Sequence, residues 1–186
     1  MSRSILVAEA NCTGCRSCEL ACSGFKEGQF IPERSRIQVI QDALEGWSRP
    51  AVCLQCDDPM CLPVCPADAI AMSETPEGDH VVAVDAGRCT GCRRCVSACP
   101  LGGMDFAPGL KAFKCDLCGG SPKCVEFCFY GCLSFVGLSE AERAKRSKKV
   151  GRLLNRMAAE IAKRDLYRRR RDSALRASKV AESPQG

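Results

Sequence analysis

Apolar positions in the first 138 residues come in short runs, set at matching places relative to cysteine-rich loops. Ile5–Ala8 predicts a strand entering the first loop, and His80–Val84 (HVVAV) predicts one in the same place before the third. Ala69–Met72 and Leu133–Val136 predict return strands after the second and fourth loops. The tract SETPEGD, Ser73–Asp79, carries the Pro and Gly of a hairpin turn. The whole reads as an internal repeat of short strand, cysteine loop, short helix and return strand. No long amphipathic helix interrupts it, and ordinary apolar residues are too sparse to build a good core alone. Whatever the cysteines bind is therefore expected to form much of the core.

The period changes at Ser139. Ser139 as N-cap and Glu142 three residues on make a capping box, and Val150, Leu154, Met157 and Ile161, with Leu153 beside them, follow at helical spacing. This predicts a helix from about residue 140 to the mid-170s. Its apolar stripe ends near Leu166, Arg168–Arg171 form a basic run, and the closing ESPQG is expected to fray.

Charge divides at the same point. Residues 1–138 hold 12 Lys and Arg against 16 Asp and Glu, whereas residues 139–186 hold 15 against 6, so the overall +5 hides an acidic segment and a basic one. The amino terminus, MSRSILVAEAN, lacks the apolar stretch and cleavage site of a secretory signal. No run approaches the roughly 20 apolar residues that cross a bilayer. A cytoplasmic chain without a transmembrane segment is expected.

Seventeen cysteines in 186 residues call for a covalent or metal framework. The odd count and the tight C-x2-C units favour metal in a reducing compartment over disulfides. Sixteen fall into four groups of four. Cys12, Cys15, Cys18 and Cys22, and again Cys89, Cys92, Cys95 and Cys99, follow the C-x2-C-x2-C-x3-C run of bacterial ferredoxins. Cys53, Cys56, Cys61 and Cys65, and Cys115, Cys118, Cys124 and Cys128, keep the first and last gaps but stretch the middle one to four and five residues. In such a run three thiolates serve one 4Fe-4S cluster and the fourth reaches the other cluster of a pair, so an even number of groups is expected. Zinc is the rival metal, but it usually takes two C-x2-C pairs across a longer linker.

The remaining residues refine this reading. Cys132, four residues past Cys128, is expected to be a small buried hydrophobe and not a ligand, because Cys124 and Cys128 already preserve C-x3-C. Gly14 and Gly91, inside CTGC, suit tight turns with amides near sulfur. Pro66 and Pro100 follow the last cysteines of groups two and three, as in ferredoxins, whereas Ser23 and Phe129 stand there in groups one and four. Arg16, Arg93 and Arg94 read as loop charges serving solubility or docking, with tuning of a cluster the lesser role. His80, the one histidine, reads as a surface residue, and Trp47 as packing beside a cluster. No phosphate loop, dinucleotide fingerprint or nucleophile elbow accompanies the cysteines. Four cysteines per cluster leave no open iron, which favours electron transfer over catalysis: no catalytic residue is assigned.

At the four groups, over about residues 4–138, the sequence closely resembles the four-cluster ferredoxin-like subunits that pass electrons for molybdenum and tungsten enzymes, carbon monoxide dehydrogenases and related complexes. The stretch from Cys18 to Val39, CELACSGFKEGQFIPERSRIQV, looks most like the iron-sulfur subunit of tungsten-dependent aldehyde oxidoreductases. The resemblance implies an α+β fold of two ferredoxin-like (βαββαβ-derived) dicluster modules, one inserted in the other, over residues 1–138. A basic C-terminal helix and tail, 139–186, would follow. It also implies the pairing of groups one with four and two with three. One cluster would take Cys12, Cys15, Cys18 and Cys128, its partner Cys115, Cys118, Cys124 and Cys22. The inner two would take Cys53, Cys56, Cys61 and Cys99, and Cys89, Cys92, Cys95 and Cys65.

The function implied is that of a non-catalytic subunit with four 4Fe-4S clusters. It would relay electrons between a tungsten or molybdenum catalytic subunit and a further flavin- or NAD-linked subunit or a ferredoxin. Formate, carbon monoxide and hydrogenase complexes are alternative partners. For the C-terminal helix, docking on the catalytic subunit or on another copy, which would lengthen the wire, stands beside two other readings, a solvated basic helix and attachment to an anionic membrane surface. From another class, a zinc-stabilised module whose basic helix binds nucleic acid is the competing reading, though no nucleic-acid-reading motif supports it.

Overall fold

The computed structural model describes residues 2–107 and 111–155. The chain divides into two compact units, residues 1–147 and 148–186. The first is a small α+β fold with few helices, built on four two-stranded antiparallel ribbons. Strand β1 (Arg3–Val7) pairs with the last strand, β8 (Leu133–Gly137), in the register Ile5 to Phe135, so the two ends of the cysteine-bearing segment are tied together. Between them lie three sequential hairpins: β2 (Ile37–Asp42) with β3 (Trp47–Val52), β4 (Ile70–Glu74) with β5 (His80–Val84), and β6 (Met104–Ala107) with β7 (Lys111–Lys114). Helix α1 (Ser17–Glu27) is the longest bounded helix, and α2 (Arg94–Ala98) and α3 (Lys123–Glu126) are single turns.

The strands expected around residues 5, 70, 80 and 133 are present, with β5 matching to the residue. The turn between β4 and β5 is closed by the Thr75 amide donating to the Asp79 carbonyl at 2.8 Å. Two hairpins, β2–β3 and β6–β7, add to the expected strands. Pro50 lies inside β3, which a ribbon tolerates because each strand has one unpaired edge.

The apolar core is in two parts, each interleaved with cysteines. Ile5, Ile37, Val39, Val52, Val81, Leu117 and Leu133 pack with Cys18, Cys22, Cys115, Cys124 and Cys132. Ile70, Val82, Met104 and Ala112 pack with Cys95, and the partly buried Cys61, Cys65, Cys89 and Cys99 lie against them. Two side chains differ from expectation. Trp47 opens β3 with 38% of its surface exposed and donates its indole N–H to Glu45 at 3.0 Å, so it caps a hairpin. His80 is half-buried, its Nε2 shielded from water without a partner.

A buried tie links β1 to the β4–β5 turn. Asp79, 1% exposed, accepts from the Arg3 amide at 2.8 Å and from Arg3 Nε at 3.1 Å. At the end of this unit residues 140–147 are helical, and the capping box forms as expected: Ser139 Oγ donates to Glu142 Oε2 at 2.6 Å and accepts from the Glu142 amide at 3.3 Å. Arg146 anchors this turn, donating to Ser4 Oγ at 2.7 Å, the Leu54 carbonyl at 2.8 Å and the Ile5 carbonyl at 2.9 Å. In the second unit residues 148–155 are helical, and the expectations for residues 156–186, including the basic run, lie outside the described residues. No helix among the described residues is long and apolar enough to cross a membrane.

Candidate metal centres

The four C-x2-C loops share one backbone device. The residue before the second cysteine has a left-handed conformation in each: Gly14 (φ 72°), Gln55 (φ 50°), Gly91 (φ 75°) and Leu117 (φ 58°). This curls each loop and brings its cysteines inward. Arg16 and Arg93, the residues after the second cysteine, are also left-handed and serve as N-caps of α1 and α2. The glycine in CTGC also leaves room for neighbours: a Cβ at Gly14 would lie 2.2 Å from Gln41 Nε2 and 2.7 Å from Ser48 Oγ, side chains of the β2–β3 hairpin that would have to move aside.

Three small hollows gather the thiols. One is lined by Cys12, Cys15, Cys18 and Cys128, together with Cys132. A second is lined by Cys22, Cys115, Cys118 and Cys124, and a third by Cys65, Cys89, Cys92 and Cys95. The last four cysteines, Cys53, Cys56, Cys61 and Cys99, are electrostatic neighbours: Cys53 and Cys99 each push up the thiols of both Cys56 and Cys61. Each set thus combines three cysteines of one group with the final cysteine of another. Cys132 is buried beside Cys12 and Cys128.

The sulfurs at the ends of the groups receive backbone amides. Cys65 Sγ accepts from the Ala69 amide at 3.3 Å, Cys99 Sγ from Gly103 at 3.3 Å, Cys128 Sγ from Leu133 at 3.4 Å and Cys22 Sγ from Arg36 at 3.2 Å. Cys89 and Cys115 accept from Ala112 and Leu117, each at 3.4 Å. Such donors stabilise thiolate sulfur and tune a bound metal.

Without a metal several of these thiols are costly to ionise. Burial, reinforced by neighbouring groups, pushes Cys18 and Cys115 up to about 12 and Cys56 and Cys61 up to about 11. For Cys18 the next largest cause is Glu19; for the other three it is Cys53. Cys132 is held at about 12, chiefly by burial and then by Cys12. Cys15, at the rim, is pulled down by its hydrogen bond with Ser17. Bunched buried thiols that resist ionisation are suited to a multinuclear cation whose binding drives off their protons. Among the described residues, no three His, Cys, Asp or Glu side chains converge on a point that could hold a single ion. A 4Fe-4S cluster spreads four thiolates over four irons, and the four sets fit that demand.

Sequence comparison agrees with this chemistry. Residues 52–102 match the 4Fe-4S dicluster domain and residues 9–25 a 4Fe-4S binding domain. The aliphatic sulfonate oxidoreductase polyferredoxin-like subunit of Pyrococcus furiosus is 42% identical over 126 residues, covering 67% of this chain and 70% of that one. The B subunit of the anaerobic dimethyl sulfoxide reductase of Escherichia coli is 32% identical over 158 residues, covering 74% of each protein. The chain belongs to the 4Fe-4S ferredoxin-like electron-transfer subunits of oxidoreductase complexes. The beta subunit of the NADH-dependent phenylglyoxylate dehydrogenase of Aromatoleum evansii is 39% identical over 131 residues, or 68% of this chain and 28% of that longer one.

Charges near the sulfurs help to set the potential of a bound cluster. Arg16 and Arg93 line two of the hollows, with Arg93 stacked 5.2 Å above the Phe106 ring. Arg94 borders an open depression with Cys65 and Cys92. Four further residues carry no mark in the cysteine spacing. Glu19 is 2% exposed, with Oε1 accepting from the Val39 amide at 2.5 Å and Oε2 unpartnered. Gly103 lies against the backbone of Cys53. Gln55 and Lys114 form a buried polar node between groups two and four. The one available signal was at Gln55, a side chain where groups one and three use glycine.

Proposed function

We propose that this subunit is a non-catalytic relay holding four 4Fe-4S clusters, each bound by one of the four thiol sets: Cys12, Cys15, Cys18 and Cys128; Cys115, Cys118, Cys124 and Cys22; Cys53, Cys56, Cys61 and Cys99; Cys89, Cys92, Cys95 and Cys65. Cys132 stays outside the ligand count. The clusters supply one-electron transfer, and the chain's own residues bind them, exclude water and set their potentials. The observation that carries this reading is the recurrence of hollows lined by three cysteines of one loop and a fourth from a distant one. Two nested modules account for the division of the apolar core, the outer one on groups one and four and the inner one on groups two and three.

The catalytic chemistry then belongs to a partner, a cytoplasmic tungsten or molybdenum subunit, with a flavin- or NAD-linked subunit or a ferredoxin at the other end. The run Cys18–Val39 favours an aldehyde oxidoreductase, while the Pyrococcus relative is named for an aliphatic sulfonate. Purification of the native complex and identification of the co-eluting subunit decides between them. The relay itself is tested on anaerobically purified protein. About sixteen irons per chain, brown colour and four resolved reduction steps support it, whereas a colourless zinc protein rejects it.

A further inference from the structure

Lys114 ends β7, one residue before Cys115, and its side chain is buried, with the residue 7% exposed. Every acceptor of its ammonium is neutral: Gln55 Oε1 at 3.1 Å, the Cys115 carbonyl at 2.8 Å and the Val82 carbonyl. Among the described residues it takes part in no ion pair. A cation removed from water and given only dipoles is expensive unless an anion lies near. The thiols on either side supply the place for one. The hydrogen bonds of Lys114 tie it to both groups two and four: Gln55 stands between Cys53 and Cys56, and the carbonyl at 2.8 Å is that of Cys115.

Gln55 points the same way from independent evidence. It occupies the left-handed position that groups one and three give to glycine and group four to Leu117, and here that position carries an amide side chain. Both ends of that side chain are engaged: Nε2 donates to the Cys115 carbonyl at 2.8 Å, and Oε1 accepts from the Val82 amide at 2.9 Å as well as from Lys114. The strained residue is the clamp that fixes the ammonium between group two and group four.

We propose that Lys114 is a positioning cation shared by two adjoining cluster sites, Cys53/Cys56/Cys61/Cys99 and Cys115/Cys118/Cys124/Cys22, and that it raises both of their reduction potentials relative to the other two. The inference rests on the relay function proposed above. A thiolate-ligated cluster gains a negative charge when it accepts an electron, and a fixed cation in a low-dielectric surround favours the more negative state. Electrons on the relay would then rest by preference at the junction between the groups.

The test uses full-length, anaerobically purified protein followed by EPR-monitored redox titration. Iron content of the wild type comes first: fewer than about sixteen irons there defeats the four-cluster reading itself, separately from the role of Lys114. With all irons retained, Lys114→Met is expected to lower two of the four midpoints. The size expected is at least a tenfold change in reduced-to-oxidised ratio at fixed potential, which is about 59 mV for one electron. The other two midpoints stay in place, and Lys114→Arg recovers the wild-type values. Unmoved midpoints, an equal fall in all four, or an arginine variant as low as the methionine one would overturn the proposal. If Lys114→Met loses iron, Lys114→Gln is titrated instead, and loss of iron in every variant, arginine included, would mark Lys114 as a packing residue and end the proposal.

Discussion

Gly103 and Gly102 are adjacent, yet replacing them with alanine should have opposite consequences for the clusters. A Cβ on Gly103 would sit 2.8 Å from Cys53 Cα, 3.1 Å from its nitrogen and 3.2 Å from its Cβ. Ordinary carbon contacts begin near 3.5 Å, so the two backbones must part by about 0.7 Å. Backbone offers no rotamer by which to yield. The displaced segment carries Cys99, whose sulfur accepts the Gly103 amide at 3.3 Å, away from Cys53, Cys56 and Cys61. Metal sites tolerate ligand displacements of roughly 0.2 Å, several times less than this. Overpacking of this kind costs about 1–3 kcal/mol. Gly102, at φ 66° with nothing within 4 Å of its Cβ position, meets only backbone strain of about 1 kcal/mol. Iron per chain and thermal melting, measured on both variants, separate the cases. Gly103→Ala should fall from about sixteen irons towards about twelve, while Gly102→Ala keeps all of them and melts a few degrees lower. A Gly103→Ala protein with full iron content and wild-type resistance to a chelator would refute the claim that this close approach positions Cys99.

Glu19→Gln keeps an acceptor for the Val39 amide but removes a buried charge that acts on Cys18. The midpoint of the cluster at Cys12, Cys15, Cys18 and Cys128 should rise, on the order of the 59 mV that marks a tenfold ratio, in an EPR titration. Asp79→Asn should destabilise the protein at pH 7. The Asp79 carboxyl is held below its usual range mainly by the Arg3 hydrogen bond, so its contribution is complete above the unfolded value near 3.9 and is lost only as pH falls through the lower folded one. The stability gap to wild type in urea melts should therefore be constant from about pH 7 to 5, and a gap that closes within that window contradicts the ion pair. Cys132→Ala should keep about sixteen irons, whereas a loss of about four would make Cys132 a ligand in place of Cys128. Truncation after Ser147, which spares the Arg146 anchor, should leave iron content intact while reducing association with the catalytic subunit or with further copies in size analysis. Unchanged assembly would remove the C-terminal segment from that role.

Cysteine spacing made the chemistry legible because a cluster needs several ligands from one tight loop, and a loop is local in sequence. The strands beside those loops were legible for the same reason, as HVVAV shows. Pairing of the sets was not, since Cys22 meets Cys115, Cys118 and Cys124 only through long-range folding that spacing does not encode. The β6–β7 hairpin is hard to read because MDFA and KAFK are four-residue strands with charges among their apolar positions. Lys114 is hidden because a lysine is ordinarily assigned to solvent, and nothing local marks one that points inward. Trp47 misleads in the opposite direction: a lone large aromatic suggests burial, but here it closes a hairpin end with Glu45 and with Arg49, 5.6 Å from its ring.

The departure of group one from the ferredoxin pattern has a physical explanation in helix α1. Groups two and three place Pro66 and Pro100 after their last cysteines, where the chain turns, and the sulfurs of Cys65 and Cys99 take amides four residues on. Cys22 lies in the interior of α1, which continues to Glu27, and a proline at the next position would lose a helical hydrogen bond and clash with the preceding turn. Ser23 fits instead. It is fully buried, donates its hydroxyl to the Glu19 carbonyl at 3.0 Å and accepts the Ile31 amide at 3.2 Å, so it fastens the segment that returns after the helix. Because the amides that follow Cys22 lie within the helix, its sulfur takes a donor from outside, the Arg36 amide just before β2. Ser23 thus suits a continuing helix, and its presence marks the cysteine group whose last cysteine lies in a helix interior.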